Sequence, residues 1–176
     1  AISAAAPGLR PVKGRLERIH AGQPFTVIVD YAHTDDALRR ALEALRPLAS
    51  GKLITVFGCG GDRDRTKRPL MGAVVARLSD VAVGTSDNPR SEDPAAIIAD
   101  VKAGMAGARQ LIAEPDREKA IAQALKLAQP GDLVALMGKG HEATQTSGAR
   151  VIPFEDGEVT RRLLADLGYG GGRGEG

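Results

Sequence analysis

Apolar residues recur along this chain in two alternating rhythms. Short apolar runs at residues 25–29, 53–57, 81–85 and 133–137 have the length and composition of buried strands, and residues 109–112 form a shorter one. The segments between them space their apolar residues by three and four. Residues 35–48 show this most clearly, with Ala37, Leu38, Ala41, Leu42 and Leu45 on one helical face. Thr34 is placed to cap that helix, and Asp35 and Asp36 fall in its first turn, where negative charge is favourable. The same spacing predicts helices over residues 69–78, 94–105, 117–128 and 156–167, with Pro94 in a first turn.

Residues 15–19 alternate polar and apolar, and Ala21-Gly22-Gln23-Pro24 is a turn signal, so two antiparallel strands open the sheet. A second small hairpin is predicted over residues 144–152, around Ser147-Gly148. Elsewhere strand and helix alternate. This pattern predicts an α/β fold: a Rossmann-like mixed, mostly parallel sheet with helices on both faces, preceded by an antiparallel hairpin. No internal repeat or second domain is visible.

Composition narrows the picture. A chain of 176 residues suits one domain, and a domain of that size buries roughly 70% of its unfolded surface. Apolar residues make up 43%, but aromatics only 3%, with no Trp, so the core must be Ala, Val, Leu and Ile. The net charge of +2 comes from interspersed acids and bases. With no basic stripe and no aromatic ladder, nucleic acid is not the expected partner. The single cysteine, Cys59, excludes an internal disulfide and is compatible with a reducing cytoplasm. No apolar stretch approaches the ~18 residues of a membrane span, and residues 1–6 lack the charged start of a signal peptide.

The chemistry-bearing residues cluster after predicted strands. Gly58-Cys59-Gly60-Gly61-Asp62-Arg63 follows one, Asp87-Asn88-Pro89-Arg90 the next, and Gly138-Lys139-Gly140-His141-Glu142 a third. In a parallel α/β sheet, loops after the carboxyl ends of strands share one edge, where ligands bind. Gly58-x-Gly60-Gly61 is not a dinucleotide fingerprint, because Arg63 stands where G-x-G-x-x-G requires glycine; it reads as a tight turn that lets backbone approach a ligand. Gly138-Lys139-Gly140 lacks the upstream glycine of a Walker loop. Glu142 reads either as a solvated acid on a glycine-rich turn or as an acceptor for an ammonium group, and the residues alone leave both open. His20, His33 and His141 show no metal-ligand spacing with Cys59, and no serine or cysteine has an activating partner, so no catalytic or metal-binding residue is assigned. Arg63, Arg90, Asn88 and Glu142 together suit a zwitterion such as an amino acid: guanidinium forks hold carboxylate and a glutamate holds ammonium.

Read together, several segments resemble one family. Asp30-Tyr31-Ala32-His33-Thr34, Val56-Phe57-Gly58-Cys59-Gly60-Gly61-Asp62-Arg63-Asp64 and Lys67-Arg68-Pro69-Leu70-Met71-Gly72 are similar to the C-terminal domain of Mur ligases. Asp87-Asn88-Pro89-Arg90 and Gly138-Lys139-Gly140-His141-Glu142 resemble the branch that adds meso-diaminopimelate to UDP-N-acetylmuramoyl-L-alanyl-D-glutamate. The resemblance runs in order from about residue 11 to 167, with departures at Asp35, Ser86 and Gly157.

It implies an ATP-dependent amide ligase of cell-wall synthesis, in which the D-glutamate γ-carboxylate is phosphorylated and the diaminopimelate amine attacks it. By the same resemblance Arg63, Asp87, Asn88, Arg90, Gly138 and Glu142 would bind the acceptor amino acid. Arg15, Asp30 and His33 would lie near the ATP, Arg15 at its phosphates and Asp30 at its ribose. Most Mg2+ ligands and the phosphate-cradling loop would belong to a central domain absent from this chain. The implied organisation is an interdomain junction at residues 1–10, the C-terminal domain at 11–168 and a disordered tail at 169–176, with no ligase activity from this chain alone. Two other readings are a ligase domain of the folylpolyglutamate synthetase type and a stand-alone, non-catalytic domain that binds an amino acid or a protein partner.

Overall fold

The computed structural model describes residues 12–170. Its first strands, β1 (Glu17–Ile19) and β2 (Thr26–Asp30), pair antiparallel as the hairpin signal predicts. β1 is shorter than expected because Gly14 and Leu16 take left-handed backbone conformations, with φ of 70° and 45°, that break the extended run. Helix α1 spans Asp35–Leu45, and the Thr34 hydroxyl accepts a hydrogen bond from Ala37 N at 3.2 Å. It stops short of residue 48 because Pro47 has no N–H to donate, and a single 3-10 turn follows.

The remaining elements are β3 (Leu53–Cys59), α2 (Lys67–Leu78), β4 (Val81–Ser86), α3 (Pro94–Ala103), β5 (Leu111–Ala113), α4 (Arg117–Leu127), β6 (Leu133–Met137), β7 (Thr144–Ser147), β8 (Arg150–Pro153) and α5 (Asp156–Asp166). α2 starts two residues before the expected Pro69, since a proline within the first turn removes an N–H that has no intrahelical partner. β7 and β8 form the separate small hairpin.

The main sheet has the order β1-β2-β6-β3-β4-β5, and every pairing except β1 with β2 is parallel. Its alternating residues feed two cores. Leu53 and Phe57 of β3 join Leu38, Leu42, Val75 and Val101 beneath α1, α2 and α3. Ile54 and Val56 join Ile121, Leu125, Val159 and Leu164 beneath α4 and α5. A strand covered on both sides is nearly all apolar, as β6 is throughout and β3 is apart from Thr55, whose hydroxyl bonds the Ser79 hydroxyl.

The chain moves outward from β3 to β4 and β5, then returns to insert β6 between β2 and β3. This reversal opens a crevice at the carboxyl ends of β2, β3, β4 and β6. Among the described residues no helix is long and apolar enough to cross a membrane. The expected junction over residues 1–10 and positions 171–176 of the expected tail lie outside the described residues, whereas Tyr169 packs edge-on against Phe25 with ring centroids 5.9 Å apart.

Candidate functional site

A cavity of about 390 Å³ occupies the crevice. The loop after β3 contributes Gly60 and Arg63, the loop after β4 contributes Asp87, Asn88 and Arg90, and the turn after β6 contributes Gly138 and Glu142. Tyr31 and His33, after β2, close one side. All six residues expected to bind an acceptor therefore line one cavity, together with His33.

The glycines also let two loops touch. A Cβ on Gly58 would stand 2.5 Å from the Thr85 carbonyl oxygen and 2.8 Å from Asp87 N, and one on Gly61 would overlap the Pro89 carbonyl. Gly61 N donates to Asn88 O at 2.8 Å. The glycine run thus lets the loop after β3 lie directly on the loop after β4, joining the two arginine-bearing segments into one wall.

Arg90 Nη1 donates to Gly61 O at 2.6 Å, which aims the guanidinium along that wall and leaves the rest of the fork for a ligand. Arg63 lines the cavity with no hydrogen-bond or ion-pair partner among the described residues. Opposite them, Glu142 Oε2 accepts from Asn88 Nδ2 at 2.8 Å and from Lys139 Nζ at 3.2 Å. Asn88 Nδ2 also donates to Asp87 Oδ1 at 3.0 Å. Burial pushes the Asp87 carboxyl above the usual carboxylate range, against the pull of the Arg117 and Lys139 cations.

Lys139 and Arg117 were not singled out from sequence. Lys139 is fully buried, 3.7 Å from Asp87 Oδ1, and donates to Thr144 O at 2.7 Å. Its signal was present, a lysine between two glycines directly after a core strand, but it reads there only as an incomplete Walker loop. Arg117 opens α4 and holds Asp156 through Nε and Nη2 at 2.8 and 2.6 Å, with both side chains buried. Its remaining donors reach Ser86 O at 3.3 Å and Met137 O at 3.1 Å, the last residues of β4 and β6. Burial disfavours the Arg117 cation, yet Asp156 raises its pKa above the ordinary value.

Below the loop after β3, buried Arg68 pairs with Glu92 at 2.6 Å and Asp100 at 2.9 Å. The Arg68 hydrogen bonds, helped by the Asp62 N–H, hold the Glu92 carboxyl down at about 2. Cys59 is buried at the end of β3, and burial pushes its thiol up to about 12, which disfavours the thiolate.

Arg15 and Asp30 stand beside the cavity and not on its wall. The Arg15 guanidinium lies over the Tyr31 ring, 5.5 Å from its centroid. Asp30 accepts from Leu16 N and Ala32 N, each at 2.9 Å, and so fixes the start of β1 against the end of β2. His33 Nδ1 contacts Tyr31 O at 2.8 Å, and its ring packs on Tyr31. Among the described residues no three His, Cys, Asp or Glu side chains converge as metal ligands.

The fold and this cavity define an α/β domain with a charge-lined cavity at the carboxyl edge of its sheet. Comparison with known proteins gives the family. The Mur ligase, glutamate ligase domain profile matches residues 14–140. A UDP-N-acetylmuramoyl-L-alanyl-D-glutamate--2,6-diaminopimelate ligase from Lawsonia intracellularis is 58% identical over 153 residues, 87% of this chain and 32% of the relative. A solved UDP-N-acetylmuramoyl-L-alanyl-D-glutamate--2,6-diaminopimelate ligase superposes with a TM-score of 0.84 at 40% identity, over 92% of this chain and 33% of that one. A Mycobacterium tuberculosis folylpolyglutamate synthase, complexed with ADP and AMPPCP, shares the fold at a TM-score of 0.55 and 20% identity, over 94% of this chain and 34% of that one. The chain belongs to the Mur ligase C-terminal domain family, and it spans about a third of the length of the curated relatives it matches.

Proposed function

We propose that this chain is the acceptor-amino-acid domain of a cytoplasmic, ATP-dependent ligase that adds meso-diaminopimelate to UDP-N-acetylmuramoyl-L-alanyl-D-glutamate. The observation that carries the reading is the convergence of Arg63, Arg90, Asn88 and Glu142 on one cavity. Each end of meso-diaminopimelate carries a carboxylate and an amine. The end remote from the attacking amine suits this wall, with its carboxylate on the Arg63 and Arg90 forks and its ammonium on Glu142 and the Gly138 carbonyl. L-Lysine lacks that carboxylate and L-glutamate lacks that ammonium, so each leaves a charged group of the site unpaired. The names of the relatives support the same acceptor.

Arg15 fits a phosphate: it is a cation beside the crevice, stacked on Tyr31 and free of an acidic partner among the described residues. Asp30 accepts one hydrogen bond on each carboxylate oxygen, which leaves lone pairs for a sugar hydroxyl. ATP supplies the driving force of the reaction; this domain supplies orientation, holding the acceptor so that its free amine enters with most of its motion already lost. Mg2+ would be held mostly by residues outside this domain.

The test is an acceptor assay with the full-length ligase that carries this domain, offering meso-diaminopimelate, L-lysine or L-glutamate. A kcat/KM for meso-diaminopimelate far above those for L-lysine and L-glutamate is expected. A preference for L-glutamate would favour the folylpolyglutamate-type reading, and no turnover with any acceptor would favour a non-catalytic binding domain.

A further inference from the structure

The β7–β8 hairpin stands apart from the main sheet, and every residue of β8 is exposed, so it adds little to either core. Isolated hairpins are marginal in water. Besides the Lys139 bond to Thr144 O, the loop after β4 holds this one. Gln145 Nε2 donates to Asp87 O at 2.7 Å, Thr146 N to Asn88 Oδ1 at 3.0 Å, Arg90 N to Thr146 O at 3.0 Å and Gly148 N to Arg90 O at 2.5 Å. Four hydrogen bonds thus reach three of the residues that face the cavity. Arg90 itself sits at φ 53°, a left-handed backbone that side chains other than glycine and asparagine seldom adopt. Its N–H and its carbonyl are both taken by the hairpin, so the hairpin fixes the conformation from which its guanidinium reaches Gly61 O.

We infer that the β7–β8 hairpin is a brace for acceptor selectivity, with Gln145 and Thr146 as positioning residues that set Asn88 and Arg90 without touching the acceptor. The inference rests on the ligase reading above. Neither Gln145 nor Thr146 lines the cavity, so their influence passes through the loop. Asn88 shows the coupling: its Oδ1 is held by Thr146 N, which orients its Nδ2 toward Glu142. A shift of the hairpin moves the amide that orients the ammonium acceptor and the fork that meets the carboxylate together.

The test uses the full-length ligase with two variants. Thr146→Pro deletes the N–H that bonds the Asn88 side-chain Oδ1, at a position whose N–H faces the loop rather than β8, and Gln145→Leu deletes the donor to Asp87 O while keeping similar bulk. Each variant should raise KM for meso-diaminopimelate 10-fold or more and lower its kcat/KM relative to L-lysine by a similar factor. KM for ATP and the thermal midpoint should stay at wild-type values. Wild-type selectivity in Gln145→Leu would overturn the inference, as would equal losses for ATP and both acceptors, which a merely structural hairpin would give. If Thr146→Pro fails to fold, Gln145→Leu decides alone. A wild-type ligase that does not use meso-diaminopimelate overturns the functional reading instead.

Discussion

Arg90 meets two demands at once: a left-handed backbone and a guanidinium aimed at Gly61 O. A lysine keeps the charge but loses the fork, and an alanine loses both. In the assembled ligase, Arg90→Ala should weaken acceptor binding by about 2–5 kcal/mol, with Arg90→Lys recovering only part of it. Isothermal titration checks this, and wild-type affinity in Arg90→Ala would remove Arg90 from the site. Glu92 carries a prediction about pH. Its carboxyl is held at about 2, chiefly by the Arg68 hydrogen bonds, so its contribution is fully present above the ordinary value of 4.5 and is lost as pH falls from there toward about 2. Urea midpoints of wild type and Glu92→Gln should therefore differ at pH 6 and converge as pH approaches 2.

At the scale of elements, the Arg117–Asp156 pair joins α4 and α5 to the ends of β4 and β6. Removing one partner of a buried pair strands the other charge, so Arg117→Met should cost about 3–5 kcal/mol in denaturant unfolding. Replacing both, as Arg117→Met with Asp156→Leu, should recover much of that loss. Thr34→Ala should cost about 1 kcal/mol through the lost cap of α1. These elements also show what sequence could reveal. β3, β4 and β6 were legible because strands buried on both faces are nearly continuous apolar runs, and α1 because its spacing and cap agree. Arg63, Arg90 and Glu142 were legible because loops after parallel strands share an edge. Arg117 and Lys139 were not, since a cation looks solvated until partners 39 or 52 residues away are brought to it. Neither was the brace, because Gln145 and Asp87 become neighbours only through the long return of the chain to β6.

For the whole molecule, one cavity receives loops from β2, β3, β4 and β6, and its charges divide into guanidinium forks and a carboxylate network. On the proposed ligase reading, the phosphate-cradling loop and most Mg2+ ligands lie in another domain of the ligase, and this chain matches about a third of the length of its curated relatives. This chain alone should therefore form no tripeptide product from ATP, UDP-N-acetylmuramoyl-L-alanyl-D-glutamate and meso-diaminopimelate, as chromatography of the reaction would show. Product from the pure chain would contradict that division of labour. The most direct test of the acceptor site is an NMR titration of the isotope-labelled chain with meso-diaminopimelate, with L-lysine and L-glutamate in parallel, since NMR detects even millimolar binding. Shifts at Arg63, Asn88, Arg90 and Glu142 with meso-diaminopimelate alone are the predicted result. Equal shifts with L-lysine or L-glutamate, or shifts confined to residues outside the cavity, would contradict it.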